Sequence, residues 1–213
     1  MKLPRIFFLF AIAFIALSWF SETNIWRKTK AIYIPKAEKT YASNKKTEEK
    51  LQQKAMEAKK FVLQNGYNDN ICFLVDMSLP SGQNRFFIYD LKKDSLLNSG
   101  LVAHGNCFEY WLEGRKYSNV VGSGCTSLGK YKIGYPYTGK FGYSYKLHGL
   151  DSTNKKAFER TVVLHAHSCV PESEVADEIC QSNGCPTVST GFLSQLKPII
   201  NHSAKPLLLW IYE

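Results

Sequence analysis

The side chains best suited to covalent chemistry in this sequence lie between residues 165 and 185. His165 and His167 close an apolar run, and Cys185 follows 18 to 20 residues later, directly after Gly184 and three residues after Ser182. A cysteine attacks a carbonyl as its thiolate, and an imidazole at a neighbouring strand end can accept the thiol proton and later return it. The glycine lets the backbone approach closely, so the amides around it could stabilise an oxyanion. The serine could orient the imidazole or the substrate.

The same spacing leaves other roles open for Cys185. The sequence has six cysteines: Cys72, Cys107, Cys125, Cys169, Cys180 and Cys185. In an exported chain this number indicates disulfides, although their pairing cannot be read from the spacing, and a buried thiol can also act as a small apolar side chain. A further alternative is a zinc site with four ligands: His165, His167, Cys180 and Cys185. Structural zinc sites usually show ligands that are closer together in the sequence. Cys185 could therefore be a nucleophile, half of a disulfide, a packed apolar side chain or, on a less usual spacing, a metal ligand.

Two of the cysteines, Cys169 and Cys180, lie 11 residues apart in the segment that joins His165 to Cys185. A disulfide between them would stabilise the protein by about 2–3 kcal/mol on the chain-entropy estimate. It would also hold the loop that carries Cys185 against the strand that carries His165. The alternative is a mobile loop with two reduced cysteines. Cys72 lies in an apolar run, and we expect it to be packed in the core.

Short β-prone runs separated by Gly, Pro, Asn and Ser fill the sequence after Gly66. The predicted strands span residues 71–79, 85–91, 95–105, 130–135, 143–150, 160–167 and 206–212, and residues 80–84 form a predicted hairpin turn. The predicted helices span residues 47–65, 172–179 and 190–200. Several strands with few helices favour a mainly β, α+β domain of the sandwich or barrel type, preceded by an N-terminal helical arm.

Four blocks of the sequence resemble one family, and they occur in the right order. The blocks are "MSLPSGQNRFFIYDLKKDSLLNSGLVAHG", "YSNVVGSGCTSLGKYKIGYPYTGKFGYSYKLHGLDSTNKKAFER", "RTVVLHAHSCV" and "CQSNGCPTV". They resemble the murein catalytic domains of the L,D-transpeptidases of the YkuD type, in the branch with Gly-Cys-Pro at the nucleophile. The resemblance covers roughly residues 70–213 and implies the fold of that family.

The resemblance also implies roles for individual residues. Cys185 matches the nucleophile that forms a thioester, and His165 matches the catalytic base. Ser182 and Gly184 match the loop that surrounds the nucleophile. His104, within "VAHG", matches a position that this branch carries and that could line the cleft.

Two further side chains are candidates for supporting the reaction or binding the substrate. Arg160 could bind a substrate carboxylate bidentately or form a structural ion pair. His167 is two residues from His165 and shares its strand face, so it could assist the base or be a polar residue at a strand end. Pro186 and Thr187 stand where the wider family has an apolar residue and an arginine. The group that holds the substrate carboxylate therefore cannot be taken from the resemblance.

The N-terminal part of the sequence differs in composition from the rest. Residues 1–20 place Lys2 and Arg5 before an apolar run at 6–20, which is typical of a signal peptide or an N-terminal membrane anchor. Residues 21–66 are a predicted basic linker and helix, and residues 67–213 the predicted catalytic domain. Residues 1–60 carry a net charge of +8 and the remainder +1. The basic character therefore fits an anionic wall or membrane surface and not a nucleic-acid groove.

These features predict an exported cysteine enzyme of the cell envelope or periplasm, either free or anchored to the inner membrane by residues 6–20. The resemblance implies that its thioester forms with a peptidoglycan stem peptide and that no metal or organic cofactor takes part. An amine acceptor would make it an L,D-transpeptidase, and water would make it an L,D-carboxypeptidase. The alternative from another class is a non-catalytic peptidoglycan-binding envelope domain on the same scaffold.

Overall fold

The computed structural model describes residues 45–213, so the predicted export signal and most of the predicted linker lie outside the described residues. In chain order the elements are α1 (Lys45–Asn65), β1 (Ile71–Asp76), β2 (Phe86–Asp90), β3 (Ser95–Gly100), β4 (Val102–Ala103), β5 (Gly129–Gly139), β6 (Gly142–Gly149), β7 (Val163–Ala166), β8 (Thr187–Val188), α2 (Thr190–Asn201) and β9 (Leu208–Tyr212). The predicted mainly β, α+β fold is confirmed. Neither helix has the length and apolar character that crossing a membrane requires, a finding that covers the described residues alone.

All nine strands belong to one sheet, in the order β3-β2-β1-β9-β5-β6-β7-β8-β4. The two strands at the ends of this order, β3 and β4, are consecutive in the chain and are separated only by Leu101. One continuous segment therefore joins both edges of the sheet and nearly closes it into a barrel. The prediction of a single strand over residues 95–105 is wrong, because its first half pairs with β2 and its second half with β8.

The sheet buries apolar side chains on both faces. Alternate residues of a strand point to opposite faces, and on β1 Cys72 and Leu74 pack on the α1 side whereas Phe73 and Val75 pack on the other. The residues that α1 buries against the sheet recur at helical spacing: Leu51, Ala55, Ala58 and Val62. The helix predicted at residues 47–65 is confirmed, with two further residues at its start. The prediction that Cys72 packs in the core is also confirmed.

Helix α2 packs against the opposite face of the sheet. Its buried residues are Phe192, Leu193, Leu196 and Ile199. Ser189 caps the helix, since its hydroxyl accepts a hydrogen bond from the Phe192 amide at 3.1 Å; serine is among the residues preferred at this position. The helix predicted at residues 190–200 is confirmed and extends to Asn201.

The prediction of a short helix at residues 172–179 is wrong, because this segment consists of bends and irregular backbone. The Glu172 carboxylate accepts hydrogen bonds from the Ser189 hydroxyl at 2.6 Å and from the Gly191 amide at 2.8 Å. The Val175 amide donates to the Gly82 carbonyl at 2.9 Å. The segment thus bonds to the start of α2 and to the 80–84 turn, and not to itself.

Strands β5 and β6 form a long hairpin. β5 runs four residues beyond the predicted end at 135, to Gly139, where it pairs with Gly142. The two residues of the turn are Lys140 and Phe141. Gly142 has a φ of 71°, a conformation that glycine adopts without steric penalty. β6 pairs with β7, so this turn lies next to the strand that carries His165.

Candidate active site

Cys185 lies between β7 and the start of β8. These strands are parallel, with His165 opposite Thr187, and the same register places Cys185 opposite Val163. The Val163 amide donates a hydrogen bond to Sγ of Cys185 at 3.5 Å. Cys185, Thr187 and His165 all line the same cavity.

The turn that carries the thiol is shaped by Ser182 and Gly184. The Ser182 hydroxyl donates to the Cys185 carbonyl at 2.7 Å and accepts from the Gly184 amide at 3.1 Å. Gly184 has a φ of 106°, and a Cβ added there would meet the Cys125 carbonyl oxygen at 2.7 Å. Any other residue would be strained both by the backbone conformation and by this contact. Ser182 therefore positions the loop, and within residues 45–213 it makes no hydrogen bond to His165.

The His165 ring is buried, with 4% of its surface exposed. Its Nδ1 lies 3.1 Å from the Ala166 carbonyl oxygen, and its Nε2 lies 3.0 Å from the Thr187 hydroxyl. A carbonyl oxygen can only accept, so the proton of the neutral ring is on Nδ1 and Nε2 is the basic nitrogen. Phe141 stacks on the ring, with 4.3 Å between centroids and 19° between planes. The basic nitrogen is thereby held towards Thr187 of β8.

Burial determines the protonation of both groups. It raises the pKa of the Cys185 thiol, against smaller opposing effects of the Val163 amide and the Arg160 guanidinium. It lowers the pKa of His165, against a smaller opposing effect of the Ala166 carbonyl. A neutral thiol beside a neutral imidazole is therefore the resting form near pH 7. No hydrogen bond joins the thiol to the ring among the described residues, because Nε2 is bonded to Thr187.

The Arg160 guanidinium binds the backbone and hydroxyl oxygens of residues 118–127. Its acceptors are the Ser118 and Cys125 carbonyls and the Ser123 and Ser127 hydroxyls, at 2.5–3.2 Å. In the described part of the chain no carboxylate pairs with Arg160, so the structural ion pair, one of the two alternatives for this residue, is not observed. The guanidinium fixes this segment beside Gly184, and its charge favours the thiolate form of Cys185.

These groups line one cavity of about 440 Å³, a size in the range of small-ligand sites. Five of the predicted site residues contribute to its wall: Arg160, His165, His167, Ser182 and Cys185. His167 is exposed just beyond the end of β7, and its Nδ1 accepts a hydrogen bond from the Cys169 amide at 3.1 Å. The cavity thus brings together most of the residues that the sequence singles out.

Two disulfides flank this cavity. The predicted Cys169–Cys180 bond is confirmed, and both of its cysteines line the cavity. A second bond, Cys107–Cys125, was not predicted. It closes the segment that ends next to Gly184, so each side of the nucleophile loop is covalently restrained.

The disulfides also decide the role of the remaining cysteines. Cys180 is bonded to Cys169 and has no thiolate to offer a metal, which excludes the four-ligand zinc site. No group of three or more His, Cys, Asp or Glu side chains arranged to hold a metal occurs in residues 45–213. The free cysteines of the described chain are Cys72, which is buried, and Cys185.

His104 lies outside the lining of this cavity. It is 2% exposed, and its Nδ1 accepts a hydrogen bond from Nη2 of the equally buried Arg85 at 3.0 Å. Burial lowers the pKa of His104 to about 4, with further lowering by the charges of Arg85 and Arg115 and a smaller opposing effect of Glu178. Its observed contacts are those of a neutral histidine in a buried polar cluster.

We expect His104 to make the protein less stable in acid. Unfolding returns its pKa to about 6.5, so between pH 6.5 and 4 the unfolded chain binds a proton that the folded chain does not. Stability is full above about pH 6.5 and falls as the pH drops towards 4, by about 3 kcal/mol from this residue. Urea unfolding at pH 7 and at pH 4.5 measures the effect. The His104→Asn variant should lose most of it, and an unchanged pH dependence in that variant would contradict the assignment.

Two contacts of His165 were not predicted from the sequence. The Thr187 hydroxyl bonds to Nε2, and the spacing of two residues from Cys185 could have indicated that their side chains share a face. Phe141 stacks on the ring from the β5–β6 turn. No local pattern links Phe141 to His165, because strand pairing brings them together.

A sequence model described as the L,D-transpeptidase catalytic domain matches residues 43–212 of the chain. The match includes α1 and all nine strands. A search of curated protein sequences found no significant match.

Solved structures similar to this one include an L,D-transpeptidase from Xylanimonas cellulosilytica, with 15% identity, a TM-score of 0.38, and coverage of 72% of this chain and 68% of that chain. An L,D-transpeptidase from Mycobacterium smegmatis has 8% identity, a TM-score of 0.41, and coverage of 68% and 59%. The helical cell shape determining protein Pgp2 from Campylobacter jejuni has 12% identity, a TM-score of 0.44, and coverage of 69% and 48%. The chain thus spans between about half and two thirds of the length of these structures.

Proposed function

This chain belongs to the L,D-transpeptidase catalytic domain family, and from that membership we propose that it modifies peptidoglycan by forming a thioester between Cys185 and a stem peptide. The family consists of cell-wall enzymes, which implies a location in the cell envelope. The residues that carry out the reaction, the acceptor and the product are the parts that we propose.

The main support for the proposal is the state of Cys185. Four of the six cysteines form disulfides, and Cys72 is fully buried. Cys185 is the cysteine left free in a cavity. The same cavity is lined by His165, an imidazole whose basic nitrogen is defined. A domain that only binds peptidoglycan has no need of this arrangement, whereas thioester formation needs both groups.

In the first step, Sγ of Cys185 attacks the amide carbonyl carbon of the stem peptide while its proton passes to Nε2 of His165. The Thr187 hydroxyl bonds to this nitrogen at 3.0 Å and lies 3.3 Å from the Cys185 carbonyl. Rotation of that hydroxyl towards the carbonyl frees Nε2 to accept the proton. Because the resting thiol is protonated, attack and proton transfer occur together, as general-base catalysis requires.

The oxyanion that forms on the substrate needs a hydrogen-bond donor beside the sulfur. Of the two amides suggested by the sequence, that of Gly184 already donates to Ser182. The Cys185 amide makes no hydrogen bond to any other described residue, so it is the donor that we assign to the oxyanion. The carbon–nitrogen bond then breaks, the proton on Nε2 passes to the leaving amine, and the thioester remains.

The acceptor determines the product. An amine from a neighbouring stem attacks the thioester, gives a proton to Nε2 and releases the Cys185 thiolate, which recovers that proton; the product is a crosslink. Water in place of the amine gives a trimmed stem. Both outcomes use the same acyl-enzyme and the same two residues.

The experiment that tests the proposal is incubation of the purified protein with tetrapeptide stems, followed by mass spectrometry of protein and products. We expect an adduct on the peptide that contains Cys185 and either crosslinked or trimmed stems. Stems that bind without adduct or product would instead support the peptidoglycan-binding domain. An adduct on another residue would contradict the site assignment.

A further inference from the structure

The charged side chains that line the Cys185 cavity are all basic. Lys140 and Arg160 contribute fixed positive charges, His165 and His167 contribute imidazoles, and the described lining contains no Asp or Glu. A wall with cations and no carboxylates favours an anionic ligand, because a desolvated cleft strengthens charge interactions and disfavours like charge.

Arg160 is not free to bind that ligand. Both terminal nitrogens of its guanidinium already donate two hydrogen bonds each to the 118–127 segment. A substrate carboxylate that bound the two terminal nitrogens of Arg160 would displace their hydrogen bonds to the 118–127 segment. This segment also contacts Gly184. The cation that binds the substrate must therefore be another one.

Lys140 meets this requirement. It is exposed in the two-residue turn between β5 and β6, and none of the described carboxylates lies within ion-pair distance of it. Its ammonium is 5.8 Å from the centroid of the Phe141 ring, which stacks on His165 at 4.3 Å. The ammonium and the imidazole are thus within about 10 Å of each other, a distance that about three residues of extended peptide span.

We propose that Lys140 binds a free carboxylate of the donor stem peptide, so that the enzyme selects stems whose carboxyl group at this position is not amidated. This inference rests on the proposed function. The carboxylate can be the terminal one of the residue that leaves or a side-chain carboxylate of the stem, since both offer the same chemistry. The aromatic ring of Phe141 is near both groups, 5.8 Å from the ammonium and 4.3 Å from the imidazole centroid.

The test compares three synthetic tetrapeptide stems: one with all carboxylates free, one with a C-terminal amide and one with a side-chain amide. Wild type should show a KM about tenfold higher for one of the two amides, the loss expected for one hydrogen bond to a charged group, with little change in kcat. The sensitive amide identifies the carboxylate. In Lys140→Gln all three stems should have similar, high KM values. Lys140→Arg should restore the preference.

Lys93→Gln is the matched control, because it removes the same charge from an exposed lysine outside the cavity lining. It should behave as wild type. Continued tenfold discrimination by Lys140→Gln, or a wild type indifferent to both amides, would overturn the inference while leaving the proposed function in place. If wild type turned over no stem, the proposed function would fail. Calorimetric binding of the same three stems to Cys185→Ala would still test the role of Lys140.

Discussion

Cys185→Ser is expected to lower acyl-enzyme formation by about four orders of magnitude or more, as removal of a catalytic nucleophile does in other enzymes. A hydroxyl is far less acidic than a thiol, and the site makes ionisation harder still, since burial already raises the pKa of Cys185. His165, whose pKa is lowered by burial, is too weak a base to compensate. Single-turnover mass spectrometry with a tetrapeptide stem measures the loss.

The other free cysteine provides the control. Cys72→Ala removes a thiol that is buried on the α1 side of β1, so it should reduce stability and leave the acylation rate of the folded protein within about threefold, as expected for a site away from the chemistry. Equal loss of acylation in both variants would point to unfolding, and normal acylation in Cys185→Ser would show that the nucleophile is a different residue.

The raised pKa also predicts how Cys185 responds to pH. The thiolate fraction rises about tenfold per pH unit below the pKa, so alkylation of the free protein should keep accelerating through pH 8. Turnover should depend less on pH than alkylation does, because the Cys185 thiol loses its proton to His165 during the attack on the substrate. A plateau of alkylation near pH 7 would mean that the resting form is already a thiolate.

His165→Gln is expected to slow acylation by about 10²–10⁴-fold, the usual contribution of a general base. Glutamine keeps a polar side chain of similar reach and cannot take the thiol proton. His167→Gln should cost no more than about threefold on the same scale, because its imidazole is exposed and lies beyond the strand that pairs with β8. The rates of thioester formation of the two variants test this assignment. An inactive His167→Gln variant together with an active His165→Gln variant would identify His167 as the base.

The pH profile adds a second readout for the base. Burial lowers the pKa of His165, so its neutral form persists below the ordinary histidine value near 6.5. In the profile of kcat/KM against pH, the loss of activity on the acid side should therefore occur below the ordinary pKa of histidine. In His165→Gln this loss on the acid side should disappear, and a loss that stayed unchanged would belong to another group.

Much of the local structure could be predicted from the sequence because its causes are local. The spacing of Leu51, Ala55 and Ala58 predicted α1. The glycine before Cys185 predicted a close approach of the backbone, which the structure shows at the Cys125 carbonyl. The predictions failed where the cause lies far along the chain. Residues 95–105 read as one strand, since nothing within them shows that β2 and β8 take different halves. The Phe141 contact with His165 likewise depends on strand pairing that no local pattern encodes. The Cys107–Cys125 bond joins two residues of the loop between β4 and β5, and the cysteine spacing does not specify that pairing.

The position of β9 in the sheet bears on when the protein can fold. Residues 208–212 lie between β1 and β5, so of the nine strands of this sheet the last in chain order joins its two halves. Before it arrives, β1 and β5 each present an unpaired edge, and such edges readily pair with other chains. Contacts between residues so distant in sequence also form slowly. The sheet should therefore not be complete until β9 is available. If residues 1–20 direct export, as the sequence predicts, that delay would keep the sheet incomplete while the chain crosses the membrane.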